Sequence, residues 1–152
     1  MNYWGHALTS NTAVVGLAFL SFLLGKPVWS VGLFLSFFMG FSFADVDLKL
    51  DKHRHWFYHS VIPCVLSLLM VGWIAWIDPD AVSREATGTA MFCVSQGVHL
   101  FCDLKIDKKG KRGTYLIYKK HGDRMGVKQT DAWLLTNALG AILMAFVLVA
   151  WG

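Results

Sequence analysis

A chain of 152 residues would ordinarily make one soluble domain, but 55% of this one is apolar and only 16% is charged. A soluble core has no use for so many long uncharged runs, and runs such as VLSLLMVGWIAWI lack the period-two alternation of a membrane β-barrel. The net charge of +4 is unevenly placed, with basic residues gathered between the apolar runs.

Five charge-free stretches follow in chain order: Ala7–Gly25, Pro27–Ala44, Ser60–Ile77, Ala86–Cys102 and Ala132–Gly152. Each is about as long as a helix needs to be to cross a hydrocarbon core. The expected fold is therefore an all-α membrane protein, a single integral membrane domain over residues 1–152 with about five transmembrane helices. The first stretch has no basic region before it and no small-residue cleavage site after it, so it reads as a retained helix and not as a signal peptide. In the second, Ser36, Gly40 and Ala44 form a small-residue ridge suited to helix contacts or to a homo-oligomer. The fourth is the weakest crossing, because it is short and contains Gln96 and His99. Two longer connections matter. Asp45–His59 joins the second and third helices. Leu104–Thr130 joins the fourth and fifth, and its Thr114–Tyr118 run between glycine-flanked basic clusters suggests a short β-hairpin-like loop.

Threading five crossings places Lys49, Lys52, Arg54, Lys105, Lys108, Lys109, Lys111, Arg112, Lys119, Lys120, Arg124 and Lys128 on the side of Met1, and only Lys26 and Arg84 on the other. Twelve against two is a positive-inside signal. It predicts a bacterial-type inner (cytoplasmic) membrane protein with a cytoplasmic N-terminus and an external C-terminus. Trp4, Trp56 and Trp133 then fall at cytoplasmic helix ends, and Trp29, Trp73, Trp76 and Trp151 at outer ends, where indoles favour the interface. The basic Lys105–Lys128 segment suits anionic lipid headgroups better than nucleic acid, which is not expected as a partner. Cys64, Cys93 and Cys102 have no C-x-x-C spacing and read as small buried apolar residues.

The same threading brings all six histidines, with Asp45, Asp47, Asp51 and Asp103, to the cytoplasmic face. Asp47, Asp51, His55 and His59 recur every fourth residue, which on a continuous helix would make one stripe. In a turn, Asp45 and Asp47 can aim at one centre. His99 and Asp103 are four apart and share a helix face. Ionisable groups in a spanning segment are costly and usually face the bundle interior or water. His6 adds a candidate just before the first helix. Carboxylate oxygen together with imidazole nitrogen suits zinc, manganese or iron better than calcium. The bland alternatives are a solvated polar loop for the aspartates and interfacial residues for the histidines. His121, in a basic loop, reads as solvated.

Gly5-His6, Asp45-Val46-Asp47, His53-Arg54 followed by His59-Ser60, and His99-x-x-x-Asp103 resemble, in order, the motifs of the YdjM-like membrane-bound metal-dependent hydrolases. That family shows an early G-H, a P-D-[IL]-D-H, an H-R-G-[FLI]-T-H-S and an H-x-x-x-D between hydrophobic helices. The resemblance spans about residues 5–103. Here Ala44 stands in place of the proline, Leu48 in place of the histidine after D-x-D, and His53 lies one residue further from His59 than the pattern has it. Either His53 keeps the family role through an insertion or His55 takes it over. The resemblance implies metal ligation by His6, Asp45, Asp47, His53, His59, His99 and Asp103, holding one or two divalent ions, zinc first and manganese or iron next.

A cation at the cytoplasmic interface is placed for a lipid headgroup or lipid-linked phosphate. Asp51 or a histidine not used as a ligand, such as His55, would act as general base. Arg54 would clamp a phosphate oxygen. The expected function is a membrane-embedded hydrolase of an anionic or lipid-linked phosphoester. The alternative is a non-enzymatic metal-binding membrane protein, an oligomeric channel, transporter or sensor.

Overall fold

The computed structural model describes residues 12–13, 15–20, 22–25, 55–104 and 125–151. These are mostly helical, and no strand occurs among them. Helix α1 spans Ile62–Ile77, α2 spans Val82–Cys102 and α3 spans Val127–Trp151. They correspond to the third, fourth and fifth apolar stretches. Within the first stretch, residues 15–20 and 22–23 are helical, and the chain turns at Gly25, whose φ of 68° favours glycine. The second stretch and residues 105–124, where the hairpin-like loop was expected, lie outside the described residues.

Local chemistry sets the helix ends. Pro63 sits in the first turn of α1, where a missing N–H costs nothing. Ser60 Oγ accepts from the Ile62 amide at 3.2 Å and donates to the Phe57 carbonyl at 2.7 Å, so the segment before α1 is tied into its start. At the far end the Asp78 carboxylate caps a 3-10 turn, Pro79–Ala81, by accepting from the Asp80 amide. That turn leads directly into α2. Two helices begin earlier than the apolar stretches suggest. Ser83, Arg84 and Glu85 belong to α2, and residues 127–130 belong to α3. Polar residues extend a helix beyond its apolar run, as the Thr130 amide bonded to the Gly126 carbonyl shows.

Helices α2 and α3 form the closest pair. The α2 face carries Ala86, Ala90, Cys93 and Gly97, all buried, and the α3 face carries Ala138, Ala141 and Ala145, each fully buried. Small residues let the two backbones approach. At Gly97 the approach is tightest: a Cβ there would meet Ile142 Cγ1 at 2.8 Å and the Ala138 carbonyl oxygen at 3.0 Å. Leu100, Leu134 and Ala138 form a second cluster beyond this crossing, closed by Trp56, Phe101, Leu104, Met125 and Trp133.

The exterior is more apolar than that of a water-soluble bundle, and the interior carries polar groups among its apolar side chains. Outward positions on α1 and α3 are large and apolar, among them Leu69, Trp73, Leu139, Leu143 and Phe146, and Trp76 is 86% exposed. Inward positions include His59, Ser60, Thr87, Ser95, Gln96, His99, Asp103 and Thr130. Of the described helices, α3 alone is long and apolar enough to cross a membrane; α1 carries no charged residue but is shorter, at 16 residues.

Candidate metal centre

Three side chains from two parts of the chain converge where α2 ends. His99 and Asp103 come from α2, one turn apart, with Asp103 at the C-cap. His59 comes from the turn that precedes α1. Asp103 Oδ2 lies 3.3 Å from His59 Nε2 and 3.5 Å from His99 Nε2. The two imidazole rings are 5.9 Å apart and inclined at 62°. All three donor atoms fall within 4.8 Å of one another. The group is enclosed: His59 is 0%, His99 1% and Asp103 5% exposed.

The two distances from Asp103 Oδ2 suit ligands of a single cation. With metal–ligand bonds of about 2.0–2.1 Å, neighbouring ligands of a tetrahedral centre stand about 3.3–3.4 Å apart. The orientation of His59 points the same way. Its Nδ1 lies 3.3 Å from the His55 carbonyl oxygen, which can only accept, so a neutral ring donates from Nδ1 and turns the Nε2 lone pair toward the carboxylate. A lone pair and a carboxylate oxygen at 3.3 Å repel unless a proton or a cation joins them. A ligating histidine whose other nitrogen donates to a backbone carbonyl is the usual outer arrangement of a metal site. Two imidazoles and one carboxylate also match a donor set used by catalytic zinc and by non-haem iron.

The backbone around His59 is held from both neighbouring helices. Gln96 Nε2 donates to the Tyr58 carbonyl at 2.7 Å and to the Ser60 carbonyl at 3.4 Å. Trp133 Nε1 donates to the His59 carbonyl at 2.7 Å. Asn137 Oδ1 accepts from the Val61 amide at 2.9 Å, while its Nδ2 donates to the Trp133 carbonyl at 2.7 Å. Trp133 and Asn137 also line a groove of about 460 Å³ with Met125, Gln129, Ala132 and Thr136.

Of the residues expected at the site, His59, His99 and Asp103 are brought together. His55 is not among the donors of this group: its Nδ1 accepts from the Phe57 amide at 3.3 Å and its carbonyl steers His59. His6, Asp45, Asp47, Asp51, His53 and Arg54 lie outside the described residues, as does His121. Gln96, Trp133 and Asn137 carried no functional signal in the sequence. Gln96 stood there only as a polar blemish in a crossing, and Trp133 only as an interfacial indole. No family model matches the chain, and no curated protein or solved structure matches it either.

Proposed function

We propose that this chain is a multi-pass membrane protein that holds a divalent transition metal, zinc first, at His59, His99 and Asp103, and that it hydrolyses a phosphoester of a lipid or lipid-linked substrate at the cytoplasmic face. The observation that carries the reading is the convergence of both Nε2 atoms on one buried Asp103 oxygen. Two imidazoles and a carboxylate are three protein ligands, the number that leaves a position for water or substrate at a catalytic zinc. When bound, the metal polarises a phosphoryl oxygen and acidifies a coordinated water. The resemblance to the YdjM-like hydrolases adds His6, Asp45, Asp47 and His53, or His55 in place of His53, as ligands of one or two ions. Asp51, or a histidine not used as a ligand, would serve as general base, and Arg54 would clamp a phosphate oxygen. The apolar exterior, with ionisable groups kept inside, supports lipid as the solvent.

A second reading, a non-enzymatic metal module, is favoured by one observation: all three donors are almost fully enclosed. The two readings differ under chelation. Elemental analysis of the purified chain should find about one or two transition-metal ions, and chelator should remove phosphate release from anionic and polyprenyl phospholipids while leaving the helices intact. Unfolding or subunit dissociation on chelation, with no turnover on that lipid panel, would establish the structural role instead.

Topology gives an independent prediction. The 21 residues of α2 make a helix about 31 Å long, which matches the hydrocarbon thickness in length although α2 is less apolar than α3. Arg84, at its start and 46% exposed at the side chain, and Lys111, beyond its end, should therefore label from opposite sides when replaced as Arg84→Cys and Lys111→Cys. Labelling of both from one side would end the five-crossing reading.

A further inference from the structure

His99 and Asp103 are set relative to each other by one helix, since a spacing of four residues stacks them on a face. His59 has no such frame. It lies in the turn before α1, where its amide donates to the His55 carbonyl at 3.2 Å, but these local bonds do not reach α2. Its place is determined by four consecutive backbone groups, the carbonyls of Tyr58, His59 and Ser60 and the amide of Val61, held by three side chains from two other helices. The ring is then turned by the His55 carbonyl. Holding four adjacent backbone groups leaves the Cα of His59 little freedom to translate or rotate.

We infer that Gln96, Trp133 and Asn137 are positioning residues that hold His59 in ligating geometry before a cation arrives. The inference rests on the metal reading above and deepens it. Gln96 reaches from α2, the helix that carries His99 and Asp103, while Trp133 and Asn137 reach from α3. The three side chains thereby refer the third ligand to both helices of the closest pair. Gln96 is also fully buried, and its Oε1 has no donor among the described residues. Burial of an unsatisfied amide oxygen is destabilising. What the Gln96 amide nitrogen does instead is grip the two carbonyls on either side of His59. Such outer groups commonly carry 10–100-fold of metal affinity, because a ligand free to wander must be re-ordered on binding.

The test uses the full chain in detergent with Co²⁺ as the probe, whose visible d–d absorption reports ligand geometry. Trp133→Phe keeps an aromatic ring and deletes the N–H donor, and Gln96→Met keeps the length and deletes both donors. Each should bind Co²⁺ about 10–100-fold more weakly than the native chain, with a changed d–d spectrum. The thermal midpoint in chelator should move far less than for a core truncation such as Leu134→Ala. Native affinity and an unchanged spectrum in both variants would overturn the positioning role while leaving the metal reading intact. So would a loss of chelator-state stability with affinity unchanged. If Trp133→Phe does not fold, Gln96→Met, which leaves α3 untouched, decides; failure of both to fold would make the three residues structural supports. No Co²⁺ uptake by the native chain would remove the metal reading and this inference with it.

Discussion

Asp103→Asn should be the less stable chain when metal is present and at least as stable as the native chain in chelator. In the native chain one carboxylate oxygen faces two imidazole nitrogens at 3.3 and 3.5 Å inside an enclosed space. With a cation present, that arrangement is a ligand set. Without one, the carboxylate oxygen and the facing His59 nitrogen repel unless a proton joins them. The asparagine amide has nearly the same volume and can donate to a lone pair where the carboxylate can only accept. In chelator the variant should thus be at least as stable as the native chain. With metal, binding stabilises the native protein by about 4 kcal/mol at a free concentration 1,000 times Kd, and the variant by far less. For a chain of this size that difference corresponds to a shift on the order of 10 °C. The measurement is a pair of melts, with metal and with chelator, alongside metal content, which should fall from stoichiometric to background in the variant. Equal shifts of both proteins on chelation would show that Asp103 is not a ligand.

The parts of the site that were legible in the sequence are those that local geometry dictates. His99 and Asp103 could be paired because an i, i+4 spacing on a helix admits little else. The third, fourth and fifth apolar stretches were recognisable because length and absence of charge are properties of the chain alone. His59 could be grouped with them only through topology and motif order, since its contact with Asp103 spans 44 residues of sequence. The gripping side chains were not legible at all. Trp133 at a helix end satisfies the interfacial preference of indoles whether or not its N–H meets a carbonyl 74 residues away. Gln96 looked like a defect in a membrane helix because hydropathy weighs a residue without its partners. Once its amide is seen on the Tyr58 and Ser60 carbonyls, the same residue becomes one of the ties between α2 and the turn. The small-residue face of α2 was missed for a related reason. Alanine, cysteine and glycine at 86, 90, 93 and 97 count as mild apolar residues in any average, whereas small size at Gly97 is what lets α3 come close.

Gly97→Ala should therefore damage fold and site together. The added Cβ would stand 2.8 Å from Ile142 Cγ1 and 3.0 Å from the Ala138 carbonyl oxygen. The isoleucine end can rotate, but the backbone oxygen belongs to α3 and moves only with its helix. Overpacking of this kind costs about 1–3 kcal/mol, and relief requires α2 and α3 to part by several tenths of an ångström. His99 lies two residues beyond Gly97 and would travel with α2, whereas the His59 turn is tied to α3 by Trp133 and Asn137 and to α2 by Gln96, so parting the helices strains the ties that place His59. Metal affinity should therefore drop along with the thermal midpoint. Gly72→Ala provides the contrast. A Cβ there meets nothing within 4 Å, and replacing a mid-helix glycine by alanine lowers the entropic cost of the helix, so that variant should be neutral or more stable by up to about 1 kcal/mol. Paired melts and metal titrations of the two variants check this. If Gly97→Ala binds and melts like the native chain, the close approach of α2 and α3 is not what holds His99 against His59.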